Sequence, residues 1–192
     1  MRLNQEMKYT PFYQLPYCCV PATLQWILYR RGYGIFDQID IGSKLGLRLP
    51  KKAKKVIKNE LIIYLKSEPK YGYGTQITKK KYSINNFFKR NGISLKISDL
   101  VQFKNNDELR KFLKDNLKDD SDIIIRYIKK HNFRDQYFGH FSLITKLYRN
   151  DMVEIGDPDL PFFRKISLNN IIDLMSNKYD GVERGLYLVT SR

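Results

Sequence analysis

The hydrophobic pattern of this chain changes after an acidic segment at 119–122, and this change limits the folds that the chain can adopt. Before the segment, most apolar residues recur at helical spacing, as they do in 19–31 and 106–116. After it come short apolar or alternating runs typical of strands, separated by turn residues. The pattern predicts an α+β fold, with a helical N-terminal half packed on a C-terminal antiparallel sheet.

The same patterns predict the individual elements. In the N-terminal half we expect helices at 19–31, 35–45, 50–66, 82–91 and 106–116, and a short strand at 93–97. In the C-terminal half we expect strands at 123–128, 140–148, 152–155, 164–166 and 185–190, a helix at 169–175, and a hairpin turn at Asn150-Asp151. Loops are predicted at 69–75 and 131–138.

Length and composition suit a globular protein. The chain has 192 residues, 42% of them hydrophobic, which fits one domain over 1–192 with a sizeable core. No apolar run approaches the roughly 18 residues of a membrane-spanning helix, and the N-terminus lacks the apolar core of a signal peptide. The two cysteines, Cys18 and Cys19, are neighbours, and a disulfide between them would close a strained ring. We therefore expect a protein of a reducing, cytoplasmic compartment.

Positive charge dominates the polar residues. Lys and Arg number 35 against 20 Asp and Glu, giving a net charge of +15, and they concentrate at 51–58 and 79–81. Such clusters attract acidic partners, whether nucleic acid, an acidic peptide or an acidic carrier protein, but they are also typical of solvated helix faces. Because no zinc-ligand spacing or other nucleic-acid motif accompanies them, we do not expect nucleic acid as a partner.

One cysteine lies where a nucleophile would be activated. Leu24, Ile27 and Leu28 recur at helical spacing, and Pro21 suits a first helical turn, so the helix begins near Cys19. The unpaired N–H groups and the dipole of a helix N-terminus favour a thiolate. Cys19 is therefore a candidate nucleophile, and it requires a base to take its proton.

Histidine is the side chain suited to that proton transfer, and the chain has two, His131 and His140. His140 follows Gly139 and begins an alternating strand pattern, whereas His131 follows two lysines in a predicted loop. A base at the end of a rigid strand is well positioned, so we favour His140. Asp157 ends the next predicted strand, where its carboxylate would accept the second ring N–H of His140; Asp159 is the alternative.

A side-chain amide completes the candidate set. Gln14 lies just upstream of Cys19, and its amide together with the Cys19 backbone N–H would form an oxyanion hole. The competing interpretation is structural: two buried thiols, a strand histidine and an aspartate in a turn. Because nucleophile, base, orienting carboxylate and oxyanion donor occur in a consistent order, we favour a catalytic site of Cys19, His140, Asp157 and Gln14.

These segments resemble the papain-like cysteine peptidase superfamily, and within it the bacteriocin-processing peptidases that act on double-glycine leaders, in their stand-alone form. That family typically shows a Gln, then Cys-Gly-Pro-Ala/Thr, then Gly-His before a hydrophobic strand, then Asp-Pro. The corresponding segments here are Gln14, Cys19-Val20-Pro21-Ala22, Gly139-His140-Phe141-Ser142-Leu143-Ile144 and Asp157-Pro158.

The alignment with the family selects one cysteine and shows two departures. Pro21 lies two residues after Cys19, which matches Cys19 rather than Cys18 to the family's nucleophile. Val20 stands where the family has glycine. Gln14 is five residues before the nucleophile, whereas the family's glutamine is six before it.

The resemblance implies a papain-like fold, in which the helix that carries Cys19 packs on the sheet that carries His140 and Asp157. It also implies acyl transfer. Cys19 attacks a carbonyl of a peptide or protein substrate, Gln14 and the Cys19 N–H hold the oxyanion, His140 protonates the leaving group, and water hydrolyses the thioester.

Two rival functions share the same features. If an amine resolved the thioester, the protein would be an acyltransferase, and an acidic carrier protein would suit the net charge of +15. A non-catalytic module that binds an acidic partner is the third alternative. We expect no cofactor and no metal, and the sequence identifies neither the substrate nor the oligomeric state.

Overall fold

The computed structural model describes residues 8–69, 72–130, 137–160, 162–176 and 183–192. The helices in these ranges are α1 (Cys19–Arg30), α2 (Gln38–Lys44), α3 (Ile84–Arg90), α4 (Asn106–Asn116) and α5 (Leu168–Ser176). The strands are β1 (Arg48–Pro50), β2 (Ile63–Leu65), β3 (Leu95–Ile97), β4 (Ser121–Lys130), β5 (Tyr137–Leu147), β6 (Met152–Gly156), β7 (Phe163–Ser167) and β8 (Gly185–Ser191). Short 3-10 helices lie at Lys51–Lys55 and Lys80–Tyr82. The predicted α+β class is confirmed.

Six strands form one antiparallel sheet in the order β3-β8-β4-β5-β6-β7. In this sheet β5 lies between β4 and β6, so that His140 stands opposite Tyr127 of β4. Asp157 directly follows β6. The sheet therefore brings the candidate base and the candidate carboxylate to adjacent strands. The remaining strands, β1 and β2, form a separate parallel pair.

Helices cover both faces of the large sheet. On one face α1 and α3 pack against the sheet residues Ile124, Phe141, Leu143 and Val189. On the other face α4 and α5 pack against Ile123, Ile125, Ile144 and Ile155. Because both faces are covered, β4 is apolar at successive positions rather than alternating, as strands buried on both sides generally are.

A buried ion network anchors the C-terminal end of α1. Asp122, at the start of β4, has no solvent exposure. Its carboxylate accepts from Arg30 Nη1 at 2.7 Å, from Arg31 Nε at 2.8 Å and from the Tyr9 hydroxyl at 2.6 Å. A buried charge is tolerated only when it is paired and hydrogen-bonded, and this one has partners on every side. The network fixes α1, and with it Cys19, to the sheet.

The predicted helix at 50–66 is wrong. The structure has a 3-10 helix at Lys51–Lys55 and strand β2 at Ile63–Leu65 in its place. A helix would have needed Ile57 and Leu61 on one buried face, but Leu61 is 67% exposed, whereas Ile62 is buried beside β1. The many lysines of this segment favour solvent, and helical propensity did not override that preference.

The expected division into a helical half and a sheet half is too simple. Strand β3 comes from the N-terminal part of the chain yet forms one edge of the large sheet, and α5 lies between β7 and β8. The predicted loop at 131–138 is wrong at its end, because Tyr137 and Phe138 belong to β5. His140 therefore lies inside this strand rather than at its start. Residues 131–136, with His131, and residues 70–71 of the other predicted loop lie outside the described ranges.

The other predicted elements are present with small shifts of their ends. Asn150-Asp151 is the turn between β5 and β6, and Asp151 has a φ of 63°, as tight hairpin turns require. None of the helices in the described ranges is long and apolar enough to cross a membrane.

Candidate active site

A strained turn brings the chain to the start of α1. The backbone N–H of Cys18 donates to the carbonyl of Leu15 at 2.9 Å, closing a β-turn with Pro16 at its second position. Tyr17 follows with a φ of 66°, a left-handed conformation that glycine usually supplies. Its ring packs edge-on against Tyr73, with the ring centroids 5.3 Å apart. Backbone strain of this kind is found at functional sites, where surrounding contacts enforce it.

Two contacts align the first turn of α1 with β5. The Cys19 thiol points at the carbonyl oxygen of Gly139, with 3.9 Å between sulfur and oxygen, and the Thr23 hydroxyl donates to the carbonyl of Phe141 at 3.3 Å. Four helical residues rise about 6 Å, and two strand residues span about 6.6 Å, so the spacings on helix and strand match. The helix N-terminus is thereby held beside the position that precedes His140.

Trp26 sets the approach of α1 to β6. A Cβ atom at Gly156 would lie only 2.6 Å from Cζ3 of Trp26, so only glycine permits this contact. The indole also packs edge-on against Phe163, and its Nε1 donates to the carbonyl of Phe12 at 2.8 Å. Because Gly156 precedes Asp157, the contact also positions the helix relative to the carboxylate.

His140 and Asp157 form a fully buried pair. Nε2 of His140 lies 2.7 Å from Oδ1 of Asp157, and neither side chain is exposed to solvent. Because Nε2 is bonded to the carboxylate, Nδ1 is the ring nitrogen left for the Cys19 sulfur. Nδ1 is buried and has no hydrogen-bond partner among the described residues. The ring is thus bonded to the carboxylate through one nitrogen and has the other nitrogen unpaired, while the Cys19 thiol contacts the preceding residue of β5.

The contacts determine how this pair titrates. Burial would lower the pKa of His140, but the hydrogen bond to Asp157 and the interaction with Cys19 outweigh it and raise this pKa from 6.5 to about 9. Burial would raise the pKa of Asp157, but the hydrogen bond and charge of His140 and the charge of Lys129 hold it well below its usual range. An imidazolium beside an ionised carboxylate is the state that supports a neighbouring thiolate.

Cys18 differs from Cys19 in both burial and titration. Its side chain is fully buried and packs with Leu47, Leu49 and Ile62. Burial, reinforced by the neighbouring Cys19, raises the pKa of Cys18 to about 12. A thiol in such apolar surroundings stays protonated and inert. Cys19 is partly exposed, so only this thiol combines access with the imidazole.

Backbone contacts hold Gln14 near the turn that follows β6. Its N–H donates to the carbonyl of Pro158 at 2.9 Å. The buried Gln38 fixes the same segment, because its Oε1 accepts from Leu15 N–H and its Nε2 donates to the Tyr13 carbonyl, both at 2.8 Å. Oε1 of Gln14 is buried and has no hydrogen-bond partner among the described residues.

The structure adds polar residues that the sequence did not indicate. Oδ2 of Asp157 accepts from Tyr127, Lys129 and Arg164 at 3.3, 3.3 and 3.4 Å. Asp159, considered above only as an alternative to Asp157, is bonded to Lys129 instead. Tyr127 and Lys129 lie two residues apart on β4, so their side chains share the face of His140. The two-residue spacing of Tyr127 and Lys129 indicates a shared face in the sequence, but it points to His140 only when β4 is known to pair with β5.

The same cluster is the one group of metal-ligating side chains found within the described residues. His140, Asp157 and Asp159 place one ligand atom each within 4.8 Å of one another. The carboxylates, however, already face the Lys129 ammonium at 3.3 and 2.5 Å. A cation between them would compete with that ammonium, so the donor set fits a charge-compensated triad better than a metal centre.

Of the predicted site residues, Cys19, His140 and Asp157 come together, and the backbone of Gln14 lies beside the residue that follows Asp157. His131, the alternative base, lies outside the described residues. No known family model matches the chain, and no curated protein matches it.

Proposed function

We propose that this protein is a cysteine peptidase of the papain-like type, which hydrolyses a peptide bond through a thioester on Cys19. One observation carries the proposal: the buried His140 ring is bonded to Asp157 through Nε2, its Nδ1 has no hydrogen-bond partner among the described residues, and the Cys19 thiol contacts the residue before it in β5. The bond to Asp157 gives the imidazole a fixed tautomer and a fixed orientation, and it leaves Nδ1 to take the proton of the thiol. A histidine with a purely structural role does not require a partly exposed cysteine at a helix N-terminus.

The first step would be acylation. The Cys19 sulfur attacks the carbonyl carbon, the C=O π electrons move to oxygen, and the resulting oxyanion needs two donors. The Cys19 N–H is one candidate, because the first N–H groups of a helix have no intrahelical partner, and the Gln14 amide is the other. His140 then gives its proton to the amine that leaves as the C–N bond breaks.

Deacylation would complete the cycle. Water attacks the thioester while His140 takes its proton, and the C–S bond breaks to release the acid and regenerate the thiol. Asp157 stays ionised throughout and stabilises the imidazolium each time it forms. No redox partner or further co-reactant is needed, because water supplies both the oxygen and the protons.

The papain-like assignment is supported by order and packing. The chain places its nucleophile at the start of an N-terminal helix, its base in a strand of the antiparallel sheet and its carboxylate after the neighbouring strand. This order matches the resemblance noted in the sequence. Both cysteines are free thiols, which suits the reducing, cytoplasmic location that we propose.

Peptide cleavage tests the proposal directly. The protein is incubated with a peptide library made from a whole-proteome digest, and new termini are identified by mass spectrometry. Cys19→Ala and Cys18→Ala serve as matched variants, because they remove adjacent thiols with opposite environments. We expect cleavage by the wild type and by Cys18→Ala and none by Cys19→Ala. Equal cleavage by both variants, or none by any form, would contradict the peptidase assignment.

A papain-like acyltransferase is the second candidate, and one observation favours it. Five lysines in and just after the 3-10 helix Lys51–Lys55 face solvent in a chain of net charge +15: Lys51, Lys52, Lys54, Lys55 and Lys58. An acidic acyl-carrier protein would bind such a surface, and salt would weaken that binding. A thioester donor that acylates Cys19 and is then released by an amine, with little hydrolysis, would favour this candidate over the peptidase.

A further inference from the structure

The carboxylate that orients His140 has more partners than that role requires. Its Oδ2 atom accepts from the Tyr127 hydroxyl at 3.3 Å, from Lys129 Nζ at 3.3 Å and from Arg164 Nη2 at 3.4 Å. Burial and the neighbouring Asp157 raise the pKa of Tyr127, so its hydroxyl is a neutral donor. Two of the three donors are therefore cations, held at a carboxylate with no solvent exposure.

Lys129 also bridges to a second carboxylate. Its Nζ atom lies 2.5 Å from Oδ2 of Asp159, and that oxygen is 4.0 Å from Nε2 of His140. The backbone N–H of Asp159 donates in turn to Asp157 Oδ1, the oxygen that holds the imidazole. The side chains of Lys129 and Asp159 are about a quarter exposed, at 23% and 26%. These two side chains lie between the buried His140–Asp157 pair and solvent.

The charges around the imidazole balance. The groups that face His140 are Cys19 from α1, Tyr127 and Lys129 from β4, Asp157 and Asp159 after β6, and Arg164 from β7. With a neutral ring and a thiol, two carboxylates offset two cations. With an imidazolium and a thiolate, the sum is again zero. Removing the charge of Lys129 leaves the ring in a net negative surrounding, and removing the charge of Asp159 leaves it in a net positive one.

We propose that Lys129 and Asp159 are positioning residues that set the proton affinity of His140 through Asp157. This inference rests on the proposed function, since it assigns the pair a role in the same thiol–imidazole chemistry. Lys129 withdraws negative charge from both carboxylates and so limits how strongly they hold the imidazolium. Asp159 contacts Lys129 and adds a carboxylate near the ring, which opposes the effect of Lys129. The balance between the two charges lets the imidazolium form and leaves it acidic enough to give its proton to a leaving amine.

Opposite shifts in the titration of His140 test this role. In Lys129→Met the two carboxylates lose a cation, so we expect the pKa of His140 to rise by about one unit. In Asp159→Asn the ring loses a nearby carboxylate while Lys129 stays, so we expect a fall of about one unit. Lys129→Arg keeps the charge and should titrate close to the parent. A role limited to folding predicts no such reversal of sign.

The measurement is an NMR titration of the imidazole in a Cys19→Ala, His131→Ala background. Without the thiol, the titration reports the imidazole and its carboxylates, and without the second histidine the signal is assigned. Lys96→Met, an exposed lysine on the edge strand β3, is the matched control and should not shift the curve. Shifts of the same sign in Lys129→Met and Asp159→Asn, or shifts no larger than the control, would overturn the inference. If Lys129→Met does not fold, the downward shift of Asp159→Asn and the unchanged Lys129→Arg still decide it.

Together with the alkylation rate of Cys19, this titration distinguishes a failure of the charge-balance proposal from a failure of the peptidase proposal. Opposite shifts in a protein whose Cys19 shows no fast alkylation at low pH would support the charge balance and contradict the peptidase. Fast alkylation that depends on His140, combined with no opposite shifts, would support the peptidase site and contradict the role of Lys129 and Asp159.

Discussion

At the scale of single residues, two adjacent thiols have different environments. Cys18 closes the turn and points into an apolar cluster, whereas Cys19 begins the helix and points along β5 toward Gly139. Side chains one position apart on a helix do not face the same way, so the start of the helix decides which thiol is reactive. The choice between Cys18 and Cys19 is thus a consequence of where α1 begins.

Asp157→Asn should weaken the site without unfolding the protein. An amide is nearly the same size as the carboxylate but does not stabilise an imidazolium, so the pKa of His140 should fall from its raised value. We expect alkylation of Cys19 near pH 6 to slow by about tenfold or more, measured by iodoacetamide labelling and mass spectrometry. Asp99→Asn, at an exposed position, is the control. Unchanged labelling in Asp157→Asn would show that the carboxylate does not support the thiolate.

At the scale of elements, α1 meets β5 at a glycine, Gly139. Side chains alternate along a strand, so a side chain at 139 would share the face of Phe141, the face on which α1 packs. The structure places the Cys19 thiol against the Gly139 carbonyl, so the small size of Gly139 admits the helix.

Substitution of Gly139 should separate reactivity from stability. Gly139→Val would place a branched side chain next to the Cys19 sulfur and move the helix N-terminus away from the imidazole. We expect at least about a tenfold loss in the alkylation rate of Cys19, with Gly139→Ala between the wild type and Val. Urea unfolding measures the stability of the same proteins. A valine variant with normal alkylation would show that the helix does not approach the strand as closely as the structure indicates.

The ion network at the other end of α1 should contribute to stability. Asp122→Ala leaves Arg30 and Arg31 partly buried without their carboxylate, and breaking a buried pair in this way costs about 3–5 kcal/mol. Urea unfolding followed by the fluorescence of Trp26, the one tryptophan of the chain, measures the loss. Asp99→Ala, at an exposed site, should change the free energy of unfolding little. Equal losses in both variants would contradict an anchoring role for the network.

Local sequence signals predicted most of the elements, but not the contacts between them. The helix starting near Cys19, the helix at 106–116 and the strands after 121 follow from periodicity and turn residues that act over a few positions. The prediction of a helix at 50–66 was wrong because the apolar residues suggested a buried helical face, whereas tertiary packing buries Ile62 and leaves Val56 exposed. Strand pairing across the chain is invisible in a single sequence.

The site shows the same limit. Cys19, His140 and Asp157 could be proposed because each stands beside a local signal: the start of a helical pattern for Cys19, a Gly-His pair before an alternating run for His140, and the end of a strand pattern for Asp157. Lys129 and Arg164 could not, because their proximity to Asp157 depends on the order of β4, β5, β6 and β7 in the sheet. Buried polar side chains such as Gln38 also resemble surface residues in the sequence, and only the fold reveals what they hold.

At the scale of the whole molecule, the His140–Asp157 pair should link stability to pH. The folded-state pKa of His140 is raised from 6.5 to about 9, so its contribution to stability is complete below about pH 6.5 and is lost as the pH rises through about 9. The pKa of Asp157 is lowered, so its contribution is present above its ordinary value and is lost as the pH falls below that value. The pair therefore stabilises the fold most between these limits.

Comparison of the wild type with His140→Gln isolates the contribution of the histidine. The difference in the free energy of unfolding should shrink by about 3 kcal/mol between pH 6 and pH 10, since one pKa unit corresponds to about 1.4 kcal/mol. Urea titrations at several pH values measure the free energy of unfolding of each protein. Subtracting one from the other removes the contribution of groups that titrate alike in both. A constant difference across this range would contradict a raised pKa for His140.

The central claim is that Cys19 and His140 form a thiolate–imidazolium pair, and the most direct test is the alkylation rate of each cysteine against pH. Intact mass and fragment mapping distinguish Cys18 from Cys19, in the wild type and in His140→Ala. We expect Cys19 to react fast well below pH 8, Cys18 to stay unreactive, and His140→Ala to slow Cys19. If both thiols are inert in the folded protein, or if Cys19 labels with the same pH dependence without His140, the catalytic account is contradicted.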